Sequence, residues 1–355
     1  MSRLFRVIGA VILSVFLCYS SPGAGAESLD FRKLKKTSER VQDTSDVTWS
    51  EPVRMWSAPR PLNFLETGEL HGELLWVVSD KHKIMLSQGR SLSKISRGIE
   101  KTMDGTILSM DLHSLPNQFG SALLTVIHEY NSELLSTLFY VRQTKEKLSL
   151  QRYKQIPLKA VRPVGDFLYQ QRYDPGRLWQ PNINRLGTSK SKFKVGRTVT
   201  SSDKTRLLSM TSIGNRRFLT LDKAGNLRLL EDGSILDQVD VNFGLNPVAV
   251  YPRGDSVEPE PVRIPPVWLF KRKLVVTVNS PDQTGGVQNW LTSEPDRSRL
   301  RVFHLKDKRL HPVGRSETYP GIITDLEVSS FNPNQVIWIR RTDEETILEV
   351  VDFTR

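Results

Sequence analysis

The feature that most constrains this chain is a loosely recurring unit of about 46 to 55 residues, each reading as short strands separated by turns. The units fall at residues 62–97, 106–153, 160–200, 206–241, an enlarged 246–313, and 321–353. The strands of one such unit cannot bury their own apolar face, so each unit must stack on its neighbours. Stacking that runs around an axis and closes on itself gives an all-β, single β-propeller of four-stranded blades, which leaves only short, protected edges. Six units are countable, and residues 52–58 are placed to pair with the C-terminal strand. The expected ring therefore has six or seven blades.

The local patterns agree with strands. Residues 74–79 (Leu-Leu-Trp-Val-Val-Ser) form a continuous apolar run that suits a strand buried on both faces. Residues 82–86 follow an Asp80-Lys81 turn as a hairpin partner would. Runs at 122–128 and 134–141 are joined through Asn131-Ser132, and those at 217–221 and 227–230 through Lys223-Ala224-Gly225-Asn226. Residues 336–340 and 347–351 flank Asp343-Glu344-Glu345. No long apolar stripe holds the 3.6-residue period, so helix should be scarce. Trp76, Trp268 and Trp338 each sit inside an apolar strand, which predicts packing between blades.

The N-terminal segment sets the expected address. Arg3 and Arg6 precede an apolar run at 7–18, and Ala24-Gly25-Ala26 supplies a small-residue cleavage site. Residues 1–26 therefore read as a signal peptide. An uncleaved anchor is the alternative, although the run is shorter than the roughly 20 residues a membrane span needs. Cys18 is the single cysteine and follows Phe16-Leu17, not the small residue that a lipid acceptor requires. Removing 26 residues from 355 leaves 329 with no cysteine, which excludes a disulfide, a thiolate metal site and a cysteine nucleophile. A disulfide-free exported chain of this size suits the periplasm or surface of a bacterium. Residues 27–50, with Lys33, Lys35, Lys36 and Arg40, read as a polar arm, and 51–355 as the propeller.

Removing Arg3 and Arg6 from a net charge of +11 leaves +9. An exported basic protein meets anionic envelope glycan, acidic proteins or a charged membrane surface, and not nucleic acid. The basic residues are spread through every unit. The densest run, at residues 190–194, reads as a solvated strand face.

Comparison of the units exposes a degenerate motif. Leu65-Glu66-Thr67-Gly68-Glu69-Leu70-His71-Gly72-Glu73 precedes the first apolar run. Met110-Asp111-Leu112-His113 opens the stretch before the second, and Thr324-Asp325-Leu326-Glu327 the stretch before the last. From about Trp56 onward the chain resembles the FG-GAP or VCBS repeat of bacterial and integrin-type propellers, in which an acidic loop between two strands precedes an apolar strand. That resemblance implies a propeller and, where the loops are intact, calcium. Here the loops have lost most acids: the second keeps only Asp111, and residues 211–216 carry none. One carboxylate is too little charge for a hard divalent cation, so no metal and no cofactor are expected.

The sequence carries no recognisable catalytic signature. His71, His82, His113, His128, His304 and His311 share no ligand spacing on one element. The chain contains no Gly-x-Ser-x-Gly elbow and no phosphate-cradling Gly-rich loop. No catalytic residue is expected. Two irregular stretches, 254–266 and 280–299, enlarge the fifth unit, and loops on rigid scaffolds carry function. The candidate ligand-binding residues are Trp179 with Arg172, Arg177 and Asn182, beside the turn signal Tyr173-Asp174-Pro175-Gly176, and Trp290 in the second insertion. Aromatic, guanidinium and amide groups together suit a polar or anionic ligand, and Trp179 and Trp290 are expected to be more exposed than the three strand tryptophans.

The leading functional reading is a non-catalytic module that presents propeller loops to a protein or an anionic glycan. The alternatives are a glycan hydrolase or lyase with its carboxylates in the funnel, and an envelope-assembly accessory held by an uncleaved N-terminus. Oligomeric state stays open. Intact-mass analysis of the exported protein should give a chain beginning at Glu27; a mass retaining Met1, or carrying a lipid on Cys18, would remove the cleaved reading.

Overall fold

The computed structural model describes residues 40–354 apart from 43–46, 60, 90–96, 115–120, 145–146, 177, 190–191, 203, 215, 241–242, 251–258, 270–272, 280–296 and 331. The regular structure there is all strand, save a single 3-10 turn at Leu207–Ser209. The chain is a six-bladed β-propeller.

Blade 1 comprises Phe64–Leu70, Glu73–Ser79, Lys83–Gln88 and Arg97–Thr102. Blade 2 comprises Thr106–Ser114, Ser121–Tyr130, Glu133–Thr144 and Lys147–Pro157. Blade 3 comprises Lys159–Val164, Phe167–Asp174, Leu178–Ser189 and Lys192–Ser201. Blade 4 comprises Thr211–Ser212, Arg217–Leu221, Leu227–Glu231 and Ser234–Val239. Blade 5 comprises Val267–Leu269, Leu274–Asn279, Arg297–Lys306 and Arg309–Arg315. Blade 6 takes Ile322–Val328, Gln335–Arg341 and Thr346–Thr354 from the C-terminus and its fourth strand, Val53–Ala58, from the other end of the chain. Thr346 pairs with Ala58, Leu348 with Trp56 and Val350 with Val53. This is the closure expected for residues 52–58, and it settles the blade number at six.

Turn chemistry sets the hairpin registers. His71-Gly72, Asn131-Ser132, Asp232-Gly233 and Asp307-Lys308 all place both central residues at positive φ. That backbone matches the twist of the flanking strands in two-residue hairpins. Gly105, at φ +86°, has a different constraint: a Cβ there would lie 1.9 Å from the Glu129 carbonyl oxygen, so only glycine fits.

Burial follows position in the blade. In the second strand of blade 1, Leu74, Leu75, Trp76 and Val77 are all buried, whereas the outermost strand of blade 2 has many exposed positions. Apolar clusters fill the spaces between blades. One extends through blades 1 to 4, one joins blades 5 and 6, one joins 6 to 1 and one joins 4 to 5. Trp76 and Trp338 are core residues, as expected. Trp268 is only half-buried.

Two expectations need correction. Within the polar arm expected at 27–50, Arg40–Gln42 and Thr48–Ser50 are strands that extend the closing sheet, and Trp49 packs on Phe353 with ring centroids 6.2 Å apart. The apolar Val47 and Trp49 had a place to go that the polar composition hid. Part of the insertion expected as a loop at 254–266 is also a strand: Glu260–Arg263 pairs with Leu245–Val250. This extra hairpin lies against the first strands of blades 2 and 6 and so occupies the axis. Val248, Val250 and Val262 join the core beside Leu207, Leu208 and Met210. Arg206 pairs with Glu260, and Arg263 donates to the carbonyls of Phe243 (3.1 Å) and Lys223 (2.7 Å). The region 280–296 with Trp290, and residues 1–39, lie outside the described residues.

Trp76 fills the space between blades 1 and 6 and is 2% exposed. Trp76→Ala should cost about 3–5 kcal/mol of stability, measured by denaturant unfolding, because a large aromatic leaves a cavity its neighbours only partly fill.

Candidate functional site: the axial cavity

The first strands of neighbouring blades lie against one another around the axis. A strand turns alternate side chains to opposite faces, so each first strand presents a few residues to the centre. There they line a cavity of about 490 Å³. Glu66 comes from blade 1, Asp111 from blade 2, Arg162 from blade 3, Thr211 from blade 4, Trp268 from blade 5, and Asp325 and Glu327 from blade 6. The axial hairpin adds Val262 and Arg263.

The polar groups at this centre tie blade to blade. The Leu65 N–H of blade 1 donates to Oδ2 of Asp325 in blade 6 at 2.7 Å, and the Leu326 N–H donates to Oδ1 at 2.9 Å. The Leu112 N–H of blade 2 donates to Oε2 of Glu66 in blade 1 at 3.0 Å. Arg162 of blade 3 donates through Nη2 to Oδ1 of Asp111 in blade 2 at 2.5 Å. Its Nη1 donates to the carbonyls of Leu207 (3.1 Å) and Leu208 (2.5 Å), just before blade 4. The bonds thus run continuously from blade 6 through 1, 2 and 3 to the threshold of 4.

Four carboxyls in one buried place repel one another and lose solvation, and both effects favour the protonated form. Burial pushes the Glu66 carboxyl well above its usual range, and Glu327, Asp111 and Asp325 push it further. Burial and then Asp325 do the same to Glu327, with Thr67 opposing. Asp325 is raised to about 7 by burial, against the lowering effect of its two N–H donors. Asp111 is also raised by burial, and Arg162 opposes that rise.

These groups differ in what they have left to offer. Asp325 accepts a peptide N–H on each oxygen and is committed to the scaffold. Asp111 is committed to Arg162 and Ser109. Oε2 of Glu327 is buried and meets no hydrogen-bond partner among the described residues. Glu66 and Glu327 stand on adjacent first strands, and Glu327 raises the proton affinity of Glu66. Both residues line the cavity, and in both the protonated form is favoured by burial.

Of the sequence-predicted site residues, Trp179, Arg172 and Asn182 are described, and none of the three lines this cavity. Trp179 is 7% exposed and lies in a strand, contrary to the expected exposed loop. It pairs across its hairpin with Tyr173, ring centroids 5.5 Å apart in a T-shaped contact, and belongs to the core. The turn between them is real, with the Gly176 N–H donating to Oδ1 of Asp174. The aromatic after it starts the next strand and faces inward, and it is less exposed than Trp268. Arg172 and Asn182 are exposed strand residues. Arg177 and Trp290 lie outside the described residues. The motif acids Glu66, Asp111, Asp325 and Glu327 were legible as recurring positions, but they stand on innermost strands, not in loops. Among the described residues, no group of three or more His, Cys, Asp or Glu is arranged to hold a metal ion.

No protein-family model matches the chain, and no curated protein matches it. Solved structures do. One is a Thermus thermophilus protein described as an inferred oxidoreductase (glucose dehydrogenase), 12% identical, with 84% of this chain and 99% of that chain covered and a TM-score of 0.43. Another is a DUF4221 family member from Bacteroides vulgatus, 8% identical, covering 87% and 98%, with a TM-score of 0.46.

The raised carboxyls make stability depend on pH. A carboxyl whose folded pKa exceeds its unfolded value binds more protons in the folded state, so its stabilisation is complete below the unfolded pKa and is lost as pH rises through the folded one. His113 and His128, lowered by burial, act in the opposite sense but are fewer than the four acids. The thermal midpoint should be several degrees higher at pH 5 than at pH 8, and Glu327→Gln should flatten that slope. A midpoint that rises with pH across this window would contradict the assignment.

Proposed function

We propose that this chain is an exported bacterial propeller that binds a hydroxyl-rich ligand, an envelope glycan or a fragment of one, in its axial cavity. The observation that carries this reading is the unpartnered Glu327 Oε2 beside Glu66, in the wall of a cavity built by all six blades. A protonated carboxyl next to an ionised one donates one hydrogen bond and accepts another, and a sugar hydroxyl does the same. The half-buried Trp268 adds an apolar wall with an N–H at its edge. Such a site is concave, partly apolar and fitted with a few converging polar groups, as small-molecule sites are. The periplasmic or surface address rests on residues 1–26. The FG-GAP or VCBS ancestry of the repeats is part of the same proposal, and the recurrence of an acid on the innermost strands of blades 1, 2 and 6 supports it.

Catalysis is the second reading, favoured by the same Glu66–Glu327 pair. Two neighbouring carboxyls whose proton affinity burial raises are suited to general acid–base cleavage of a glycosidic bond. One experiment separates the two readings. The mature protein and Glu327→Gln are incubated with a panel of neutral and acidic oligosaccharides, with calorimetry for binding and mass spectrometry for cleavage. Binding without cleavage, weakened about tenfold in Glu327→Gln, is the expected outcome. Cleavage by the parent and uncleaved binding by the variant would establish the enzyme. Binding by both, unaltered by the substitution, would remove the axial site.

A further inference from the structure

A second cavity, also about 490 Å³, lies between blades 3 and 4 and shares Gly165, Ser212 and Trp268 with the axial one. The two therefore adjoin. Its chemistry is the inverse of the axial cavity's. Arg185 and Arg197 come from the third and fourth strands of blade 3, and Arg216 from the turn between the first two strands of blade 4. Facing them are two carboxylates, Asp166 and Asp232, so guanidinium is in excess by one. Arg197 and Arg216 both lean on Asp232, at 3.8 and 3.3 Å, with all three side chains more than half exposed. Exposed pairs of this kind are weak and yield to a better partner.

The aromatic groups complete the groove. Phe167 is 41% exposed, a large apolar side chain left at the surface, and the Arg185 guanidinium lies 3.3 Å from its ring centroid. That stack holds Arg185 in place with its edge N–H groups free to fork onto an oxyanion. Trp268, at the junction, has a buried indole Nε1 with no acceptor among the described residues. A buried donor is costly to leave unpaired, and Trp268 is a wall residue of both cavities.

We propose that the groove between blades 3 and 4 reads an anionic substituent, carboxylate or phosphate, on a sugar ligand whose neutral body extends past Trp268 into the axial cavity. The proposal rests on the axial reading for the body of the ligand, but not for the anion. Arg185, Arg197 and Arg216 hold the charge, Phe167 supplies the platform beneath it, and the Trp268 N–H donates to a ring or hydroxyl oxygen at the bend.

The test uses the mature full-length chain and four probes in calorimetry: inorganic phosphate, a hexose phosphate, a galacturonate trimer and a neutral trimer of the same length. Expected is at least tenfold preference for one or both anionic sugars over the neutral trimer, falling with added salt. The double variant Arg197→Gln, Arg216→Gln should lose that preference and keep neutral-trimer affinity and thermal midpoint. The galacturonate and hexose phosphate arms tell a carboxylate from a phosphate reader. Equal affinity for neutral and anionic sugars in the parent protein overturns the proposal without need of any variant. So does anion binding that survives the double substitution, or failure of all three anionic probes to bind. If phosphate and anionic sugars bind through the arginines while Glu327→Gln changes nothing, the groove stands and the axial reading falls.

Discussion

A ring of blades holds its shape only if its two ends are joined, and here the join is the pairing of Val53–Ala58 with Thr346–Thr354. Without it blade 6 would have three strands, an unpaired edge and no partner for the Trp56 and Leu348 side chains. Such an edge is also a template for pairing with other chains. The join is reinforced past its end by Trp49 on Phe353 and by the Asp352 N–H, which donates to Oγ of Ser50 at 3.0 Å. Because the closing strand is contributed from residues far away in sequence, blade 6 cannot be completed until the chain has wound once around. The interblade clusters on either side of it, carrying Trp76 and Trp338, depend on that event.

The axis solves a second problem raised by closure. Six first strands converge with unequal neighbours, and apolar packing alone would leave the angle between them loosely set. The ties from Asp325 to Leu65, Glu66 to Leu112 and Asp111 to Arg162 fix it with directional bonds. Burying carboxyls is costly, and a buried pair is weak support for stability in itself. What such groups supply is a preferred geometry, and burial raises their proton affinity, which lessens the cost. The same arithmetic leaves Glu327 with an unfilled oxygen. Scaffold and site are here made from one set of residues, differing only in how many partners each has found.

The blades are legible because strand signals are local. Asn131-Ser132 marks a two-residue hairpin within four residues, and the run at 74–77 shows two-sided burial on its own. Trp179 is hidden because its decisive partner, Tyr173, lies across a hairpin: turn chemistry between them predicts a loop, whereas the cross-strand aromatic pair draws Trp179 inward. The axial hairpin is masked by prolines. Pro259, Pro261, Pro265 and Pro266 argue against a central strand, yet Pro261 pairs opposite Ala249 in a two-stranded ribbon where both strands are edges and proline is tolerated. The motif acids show as a repeat but read as loop residues, since nothing local distinguishes a strand that ends at a turn from the turn itself.

The position of the site follows from these constraints. Outer strands of a propeller repeat their neighbours' environment, so no outer position differs much from the others. At the centre, residues from all six blades line one cavity, and small differences among the repeats become a specific constellation. Blades 1, 2 and 6 keep an acid there, blade 3 supplies Arg162, and blade 5 supplies Trp268 in place of a charge. Divergence among the repeats leaves the acids on one side of the axis, and Trp268 with the arginine groove on the other. The cavity is therefore polarised across its width, although the chain's excess positive charge is spread over every blade. Under the proposed reading, a ligand that spans it carries hydroxyls at one end and charge at the other, a stricter demand than net charge alone could impose.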